Sequence, residues 1–188
     1  MPRGLCRRER GDRMAGSRLS FWTICLMHEG PLMKAFRKPE RLLGIAGVAP
    51  GKTIVEVGCG PGFFTLPAAR MVGDKGLVYA LDVNPYAVDR VRKKIEREGL
   101  TNVRASLTNA AETGLPDNSV DVVFIFGIRY VAGGLDGVLQ EAARILKPGG
   151  RLSLEKSSGS DSQLTAAAAR AGFFILEAKG RLFMFTNG

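Results

Sequence analysis

The sequence has few cysteines and no hydrophobic run of membrane length, and each absence excludes a class of protein. Its three cysteines, Cys6, Cys25 and Cys59, form no CxxC pair and are odd in number. Neither a disulfide framework nor a zinc site is therefore indicated. The apolar stretch 19–27 has nine residues, whereas a membrane helix needs about 20. No small-residue cleavage site follows it, so we expect no signal peptide and a reduced, cytoplasmic protein.

The positive charge is concentrated near the N-terminus. The chain of 188 residues carries a formal charge of +9, and residues 1–41 hold ten Lys or Arg against four acids, a net of +6. The rest is close to balanced. Such a basic segment either contacts RNA or an anionic membrane, or is a solvated tail. We expect a disordered basic leader at 1–18, a lid or packing segment at 19–38, and one core domain at 39–188.

Residues 53–65 have the order strand, glycine turn, helix. Residues 53–57 are apolar and β-branched with one acid, and Gly58, Gly60 and Gly62 follow at alternate positions. Glycines allow backbone conformations closed to other residues and let a ligand lie against the main chain. The N-terminus of the next helix favours a carboxylate or phosphate. A nucleotide-like ligand is the first hypothesis.

The glycine spacing narrows the choice of ligand. The dinucleotide fingerprint requires a third glycine five residues after the first. Phe63 occupies that position, and the third glycine, Gly62, comes one residue early. Asp82 ends the next apolar run, twenty residues after Gly62. A carboxylate there is placed to accept hydrogen bonds from two ribose hydroxyls.

Hydrophobic periodicity and Gly/Pro signals predict alternating strands and helices. The continuous apolar character of 120–126 indicates a central strand buried on both faces. The charged face of 86–98 is interpreted as solvated. The predicted strands cover 53–57, 77–81, 102–106, 120–126, 151–156, 173–179 and 181–186, and the predicted helices cover 40–46, 63–72, 86–98, 135–146 and 161–171.

Two motifs carry a family resemblance. The pattern Glu56-x-Gly58-x-Gly60-x-Gly62 and the sequence Arg-Ile-Leu-Lys-Pro-Gly-Gly-Arg-Leu at 144–152 resemble motifs of the class I S-adenosylmethionine-dependent methyltransferases. The resemblance covers residues 39–188. It implies an α/β fold: a three-layer, doubly wound, seven-stranded Rossmann-like sheet, mostly parallel with an antiparallel C-terminal strand.

The resemblance also implies S-adenosylmethionine as the cofactor and a set of residues that bind it. The main chain around Gly58 and Gly60 meets the methionine part, and Glu56 binds its ammonium directly or through water. Gly127 lends a carbonyl near the sulfonium. The other implied cofactor-binding residues are Cys59 and Gly62 in the loop, Asp82 at the ribose with Val83 next to it in the chain, and Asn109 and Ala110 at the adenine. The alternative for Asn109 is a cap on a helical turn.

A general base is needed if the acceptor must lose a proton. The candidates are Tyr130, Glu155 and His28, the only histidine. Each has a plainer interpretation: Tyr130 stacks on the substrate, Glu155 is a paired strand residue, and His28 lies on the surface. Arg129 suits an acidic or phosphorylated acceptor.

The predicted function is methyl transfer by in-line displacement to a small molecule. One alternative is a methyltransferase that acts on RNA or protein, guided by the basic leader. Others are a binding module for S-adenosylmethionine without turnover, and a nicotinamide oxidoreductase if the glycine loop is misinterpreted.

Overall fold

The computed structural model describes residues 38–127, 134–157 and 159–188. The leader 1–18 and most of the segment 19–38 lie outside the described residues. The helices are α1 (Pro39–Ala46), α2 (Thr65–Val72), α3 (Pro85–Glu98), α4 (Gly134–Ile145) and α5 (Asp161–Arg170). The strands are β1 (Thr53–Val57), β2 (Leu77–Asp82), β3 (Val103–Leu107), β4 (Val120–Ile125), β5 (Leu146–Glu155), β6 (Phe174–Lys179) and β7 (Leu182–Thr186).

The strands form one seven-stranded sheet in the order β3-β2-β1-β4-β5-β7-β6. Pairings among β1 to β5 are parallel, and β7 pairs antiparallel with both β5 and β6. Among these strands only β7 runs opposite to the others. The predicted seven-stranded α/β sheet with an antiparallel C-terminal strand is confirmed. From β1 the sheet grows through β2 and β3 on one side and through β4 and β5 on the other. Open sheets of this type bind ligands at that switch point, between β1 and β4.

Each face of the sheet carries its own core. Because side chains alternate along a strand, Val55 and Val57 point into one core and Ile54 into the other. Helices α4 and α5 cover the Val55 face, and α1, α2 and α3 cover the Ile54 face. Burial on both faces explains the continuous apolar runs in the central strands.

The predicted element boundaries are close to the observed ones, with a few corrections. The helix predicted from residue 63 begins at Thr65, because Phe63 and Phe64 belong to the turn. The third strand lies one residue later than predicted, at Val103–Leu107. Residues 147–150, predicted as a turn before the fifth strand, form an irregular segment within β5. The register shifts there, since Val120 pairs with Leu146 and Val122 with Arg151.

Arg144 on α4 ties the segment before β4 to that helix. Its guanidinium donates to both carboxylate oxygens of Glu141, at 2.8 and 2.7 Å, to the carbonyl of Leu115 at 2.8 Å and to the Asp117 carboxylate. Thr113 also donates to Glu141 through its backbone N–H, at 2.8 Å, and its hydroxyl. Hydrogen bonds from Arg144, the largest cause, lower the pKa of Glu141 to about 2.

Replacing Arg144 with alanine is expected to destabilise the fold by about 2 kcal/mol, since it leaves the buried Glu141 carboxylate without its cation. Arg144 is 37% exposed, and solvent screening keeps the loss below that of a fully buried pair. The matched control is Arg170→Ala, which breaks an exposed ion pair with Asp136 and should cost less than about 1 kcal/mol. Urea unfolding measures both, and equal losses would contradict the prediction.

Of the helices within the described residues, none combines the length and apolarity that crossing a membrane requires.

Candidate functional site

The loop between β1 and α2 is held open by three glycines and anchored to the neighbouring strand. Gly58, Gly60 and Gly62 have φ values of 75°, 50° and 85°, in the left-handed region that favours glycine. The backbone N–H groups of Gly58 and Cys59 both donate to the carbonyl of Leu81, at 2.7 and 3.0 Å. The loop therefore turns across the end of β2.

Gly62 is also a point of close packing. A Cβ at this position would lie 3.2 Å from Leu66 Cδ1 and 3.2 Å from Val91 Cγ2, tighter than ordinary van der Waals contact. On the same loop, Lys94 Nζ donates to the carbonyl of Pro61 at 2.6 Å. Helix α3 thus packs against the loop through Val91 and bonds it through Lys94. This bond corrects the prediction that the charged face of the helix is merely solvated.

Asp82 joins the glycine loop to the turn after β2. Its Oδ2 accepts the Gly60 N–H at 2.9 Å, and its Oδ1 accepts the Asn84 N–H at 2.9 Å. Burial raises the pKa of the Asp82 carboxyl, although hydrogen bonds from the backbone of Asn84, Gly60 and Val83 oppose the rise. Val83 is 36% exposed and adds apolar surface beside the carboxylate.

Glu56 lies at the inner side of the same loop. It is only 2% exposed, and its Oε2 accepts a short hydrogen bond from the Thr65 hydroxyl at the start of α2. Burial raises the pKa of Glu56 to about 8; the Thr65 bond lowers it and the charge of Asp82 adds to the rise. The buried Cys59 thiol has a raised pKa for the same main reason, burial.

The stretch predicted at the adenine follows β3 and is bonded to the end of β2. The Thr108 N–H donates to the Asp82 carbonyl at 2.9 Å. Asn109 Oδ1 accepts the Ala111 N–H at 3.0 Å, a local turn of the kind asparagine forms. Ala110 is buried and belongs to the same core cluster as Val57 and Leu81. The local turn accounts for the Asn109 side-chain oxygen, and the adenine role stays a prediction.

Gly127 and Glu155 meet at the ends of β4 and β5. Gly127 has a φ of 68°, and its N–H donates to Glu155 Oε2 at 2.9 Å. Glu155 is half-buried. Glu155 pairs with Leu182 in the sheet and also bonds Gly127 in the loop after β4. Strand pairing therefore does not account for all of its contacts. The other two candidate bases, His28 and Tyr130, and the cation Arg129 lie outside the described residues.

Sequence patterns did not indicate the roles of two residues of the site, Thr65 and Lys94. Thr65 was assigned to the helix with no role, and Lys94 to the solvated face of α3. No spacing rule links Thr65 to Glu56 or Lys94 to Pro61, because each pair meets only when α2 and α3 pack on the sheet. A basic residue within a helix gives no sign of which carbonyl it reaches.

The residues fit an adenosine joined to an amino acid. A carboxylate offers about four acceptor positions, and the backbone N–H groups of Gly60, Asn84 and Val83 that bond Asp82 do not fill all of them. The loop beside it has bare main chain at three positive-φ glycines. Glu56 is buried beneath this loop, and a positively charged group of a ligand close to it would favour the ionised form of its carboxyl.

The order of the strands and the glycine loop after β1 are those of the Rossmann-like methyltransferase fold. A family model described as a methyltransferase domain matches residues 54–150, more than half of the chain. The chain belongs to this family.

Relatives of known name agree with this assignment. The chain is 37% identical over 141 residues to the ubiquinone/menaquinone biosynthesis C-methyltransferase UbiE of Hydrogenovibrio crunogenus, covering 73% of this chain and 55% of the relative. It is 30% identical over 136 residues to the aklanonic acid methyltransferase DauC of Streptomyces sp. strain C5, covering 72% and 57%. The chain thus spans little more than half the length of these curated relatives.

A solved structure matches over nearly its whole length. The S-adenosylmethionine-dependent methyltransferase from Aquifex aeolicus superposes with a TM-score of 0.73 at 27% identity, covering 88% of this chain and 96% of that one. The structural similarity covers 88% of this chain. The methyltransferase fold therefore extends beyond residues 54–150, which the family model matches.

Proposed function

We propose that this chain binds S-adenosylmethionine across the ends of β1, β2 and β4 and transfers its methyl group to a small-molecule acceptor. The observation that carries the proposal is the position of Asp82, whose carboxylate accepts the N–H groups of Gly60 and Asn84 at the rim of the glycine loop. That position suits a group that accepts both ribose hydroxyls.

The other residues are proposed to contact different parts of the cofactor. The main chain of Gly58, Cys59, Gly60 and Gly62 faces the methionine part, and Glu56 beneath it favours a cation. Val83 offers apolar surface beside Asp82. Residues 109 and 110, bonded to the end of β2 through Thr108, serve the adenine.

Positioning is the main chemical task of the protein. When bound, S-adenosylmethionine supplies a methyl group on a cationic sulfur that is already a good leaving group. Gly127 is proposed to line the sulfonium end, with its N–H held by Glu155. Holding donor and acceptor in near-attack geometry lowers the barrier without a protein nucleophile.

Glu155 is proposed to accept the proton of an acceptor that must lose one. Glu155 lines a cavity and its carboxylate accepts the Gly127 N–H at 2.9 Å, so this candidate base lies beside the proposed sulfonium end of the cofactor. Tyr130 and His28 remain predicted alternatives for this role.

The names of the relatives support a small-molecule acceptor. One acts in ubiquinone and menaquinone biosynthesis and another on aklanonic acid, and both are small organic molecules. The proposal includes the cytoplasm as the compartment, since the reduced state predicted from the cysteines suits it.

Calorimetry tests the cofactor assignment directly. We expect S-adenosylhomocysteine to bind with a dissociation constant of about 1 to 100 μM, and NAD to give no heat of binding. Binding of NAD in place of S-adenosylhomocysteine would overturn the assignment. Binding of S-adenosylhomocysteine without labelling of any acceptor would leave a binding module and overturn the enzymatic part.

A second candidate acceptor is RNA, favoured by the net charge of +6 on residues 1–41. A screen with radiolabelled methyl donor over fractions of small molecules, RNA and protein separates the two. RNA labelling that falls with salt and is lost on deletion of residues 1–18 would favour this candidate.

A further inference from the structure

A cavity lies next to the proposed cofactor site, over the ends of β4 and β5 and the start of β7. Its volume is about 590 Å³, within the usual range for small-molecule sites. Phe126 and Leu182 supply an apolar floor and are almost fully buried. Leu42 and Ile45 of α1 add apolar walls. An aromatic or aliphatic body would be desolvated against this surface.

The cavity is strongly asymmetric in charge. Four cationic residues line it against one acid, Glu155. Lys38 precedes α1 and Arg41 lies in it, whereas Lys179 ends β6 and Arg181 follows in the turn to β7. Lys179 pairs with Glu177 at 2.8 Å outside the lining. Within residues 38–127, 134–157 and 159–188, the side chains of Lys38 and Arg41 make no ion pair.

Arg181 is held in place by main-chain carbonyls. Its Nε donates to the carbonyl of Lys156 at 2.8 Å, and its Nη2 donates to Lys156 and, at 3.1 Å, to Ser157. These bonds orient the guanidinium plane at the end of β5. A guanidinium fixed in advance loses less rotamer entropy when it binds a carboxylate.

The one acid in the lining, Glu155, already accepts a backbone hydrogen bond. Its Oε2 accepts the Gly127 N–H at 2.9 Å, on the side of the cavity that adjoins the cofactor site. Lys38 and Arg41 lie at the start of α1, whereas Arg181 is held at the same end of β5 as Glu155. A ligand that reaches from Gly127 toward α1 therefore meets the apolar surface of Phe126 and Leu182 and, at α1, the cations Lys38 and Arg41.

We propose that this cavity is the acceptor site and that the acceptor is an organic acid: a carboxylate attached to an apolar, ring-sized body. The inference rests on the proposed methyl transfer, because it places the reacting atom beside Gly127. The carboxylate meets Arg41, Lys38 and Arg181, and the ring lies on Phe126 and Leu182. Clefts lined by one sign of charge raise the local concentration of the opposite ion.

The test compares two probes of nearly the same shape, one an anion and one neutral. The 2-naphthoate anion and neutral 2-naphthamide share one ring system, and each is titrated into ¹⁵N-labelled full-length protein loaded with S-adenosylhomocysteine. We expect naphthoate to bind at least about 10-fold more tightly than naphthamide, as a charge-assisted hydrogen bond of about 1.5 to 3 kcal/mol allows. The backbone amides of Gly127 and Leu182 should shift with naphthoate.

Variants assign the preference to the cavity. Arg41→Gln should lower the preference for naphthoate to about 2- to 3-fold, and Arg41→Lys should retain most of it, since the charge stays. The matched control is Arg97→Gln on α3, which is exposed and does not line the cavity; it should leave the preference unchanged.

The outcomes separate this proposal from the cofactor assignment. Failure of S-adenosylhomocysteine to bind overturns the proposed function itself. Normal binding of S-adenosylhomocysteine with equal affinities for the two probes, or with no naphthoate binding up to 10 mM, or with equal effects of Arg41→Gln and Arg97→Gln, overturns only the organic-acid proposal. Displacement of naphthoate by a short RNA at lower concentration also overturns it.

Discussion

Replacing Asp82 with alanine is expected to lower the affinity for S-adenosylhomocysteine at least about 100-fold, because two charge-assisted hydrogen bonds to ribose hydroxyls are lost together. The same change removes the acceptor for the N–H groups of Gly60 and Asn84. The glycine loop would then lose its link to the turn after β2. Calorimetry measures the affinity, and circular dichroism checks that the variant is folded.

Two comparisons make the Asp82 prediction specific. Asp89→Ala removes an exposed acid on α3 that pairs with Lys93, and it should leave binding within about 2-fold of the wild type. Lys94→Met removes the bond to the Pro61 carbonyl and loosens the loop while Asp82 stays intact. If Asp82→Ala binds no more weakly than Lys94→Met, the carboxylate acts only by holding the loop and its ribose role is wrong.

Replacing Glu56 with glutamine is expected to remove a large pH dependence of stability. Burial raises the pKa of Glu56 from 4.5 to about 8 in the folded protein. The folded state therefore holds a proton that the unfolded chain has released between these values. The wild type should lose up to about 5 kcal/mol of unfolding free energy relative to Glu56→Gln as the pH rises from 4.5 to 8, at about 1.4 kcal/mol per pH unit.

The sign of the effect distinguishes Glu56 from acids whose pKa is lowered, such as Glu141, whereas Asp82, whose pKa is also raised, is common to both proteins. Below pH 4.5 both variants carry a neutral side chain and should be equally stable, and above about pH 8 the difference should stop growing. Glu141, whose pKa is lowered to about 2, gives the opposite slope at acidic pH, but it is present in both proteins and cancels. Urea unfolding from pH 4 to 9 provides the measurement. Parallel curves for the two proteins would contradict the prediction.

Proton release reports on the proposed role of Glu56 in ligand binding. A ligand ammonium near Glu56 favours the ionised carboxylate, so S-adenosylhomocysteine should expel up to about one proton at pH 7. Calorimetry in buffers of different ionisation enthalpy counts that proton. Glu56→Gln should release none, and equal release by both proteins would separate Glu56 from the ammonium.

The order of strands and helices could be predicted because it depends on local signals. Apolar runs between Gly and Pro gave the seven strands, and the spacing of Gly58, Gly60 and Gly62 predicted the strand–turn–helix at the site. Boundaries differed where tertiary structure competes with local preference. Phe63 and Phe64 have apolar side chains that continue a helical pattern, but the rings pack edge to face at 4.9 Å within the turn.

The partners of the site residues could not be predicted. Thr65 donates to Glu56 and Lys94 donates to Pro61, and neither contact follows a period of helix or strand. The charge of α3 was interpreted as solvated, whereas Arg92 also donates to the Ala105 carbonyl at 2.9 Å. A long cationic side chain reaches whichever carbonyl the packed neighbours present.

By itself the sequence determined the class of sheet, the glycine loop and the acid that follows it, because a residue's backbone preference and its position along a strand are local properties. Only the tertiary structure decided which charges share a cavity. Arg41 and Arg181 are far apart in the chain, and they line one site because β7 inserts between β5 and β6 and brings the start of its own strand to the ligand-binding edge. The charge that lines a cavity depends on how distant strands and helices pack together, and no short stretch of sequence contains that information.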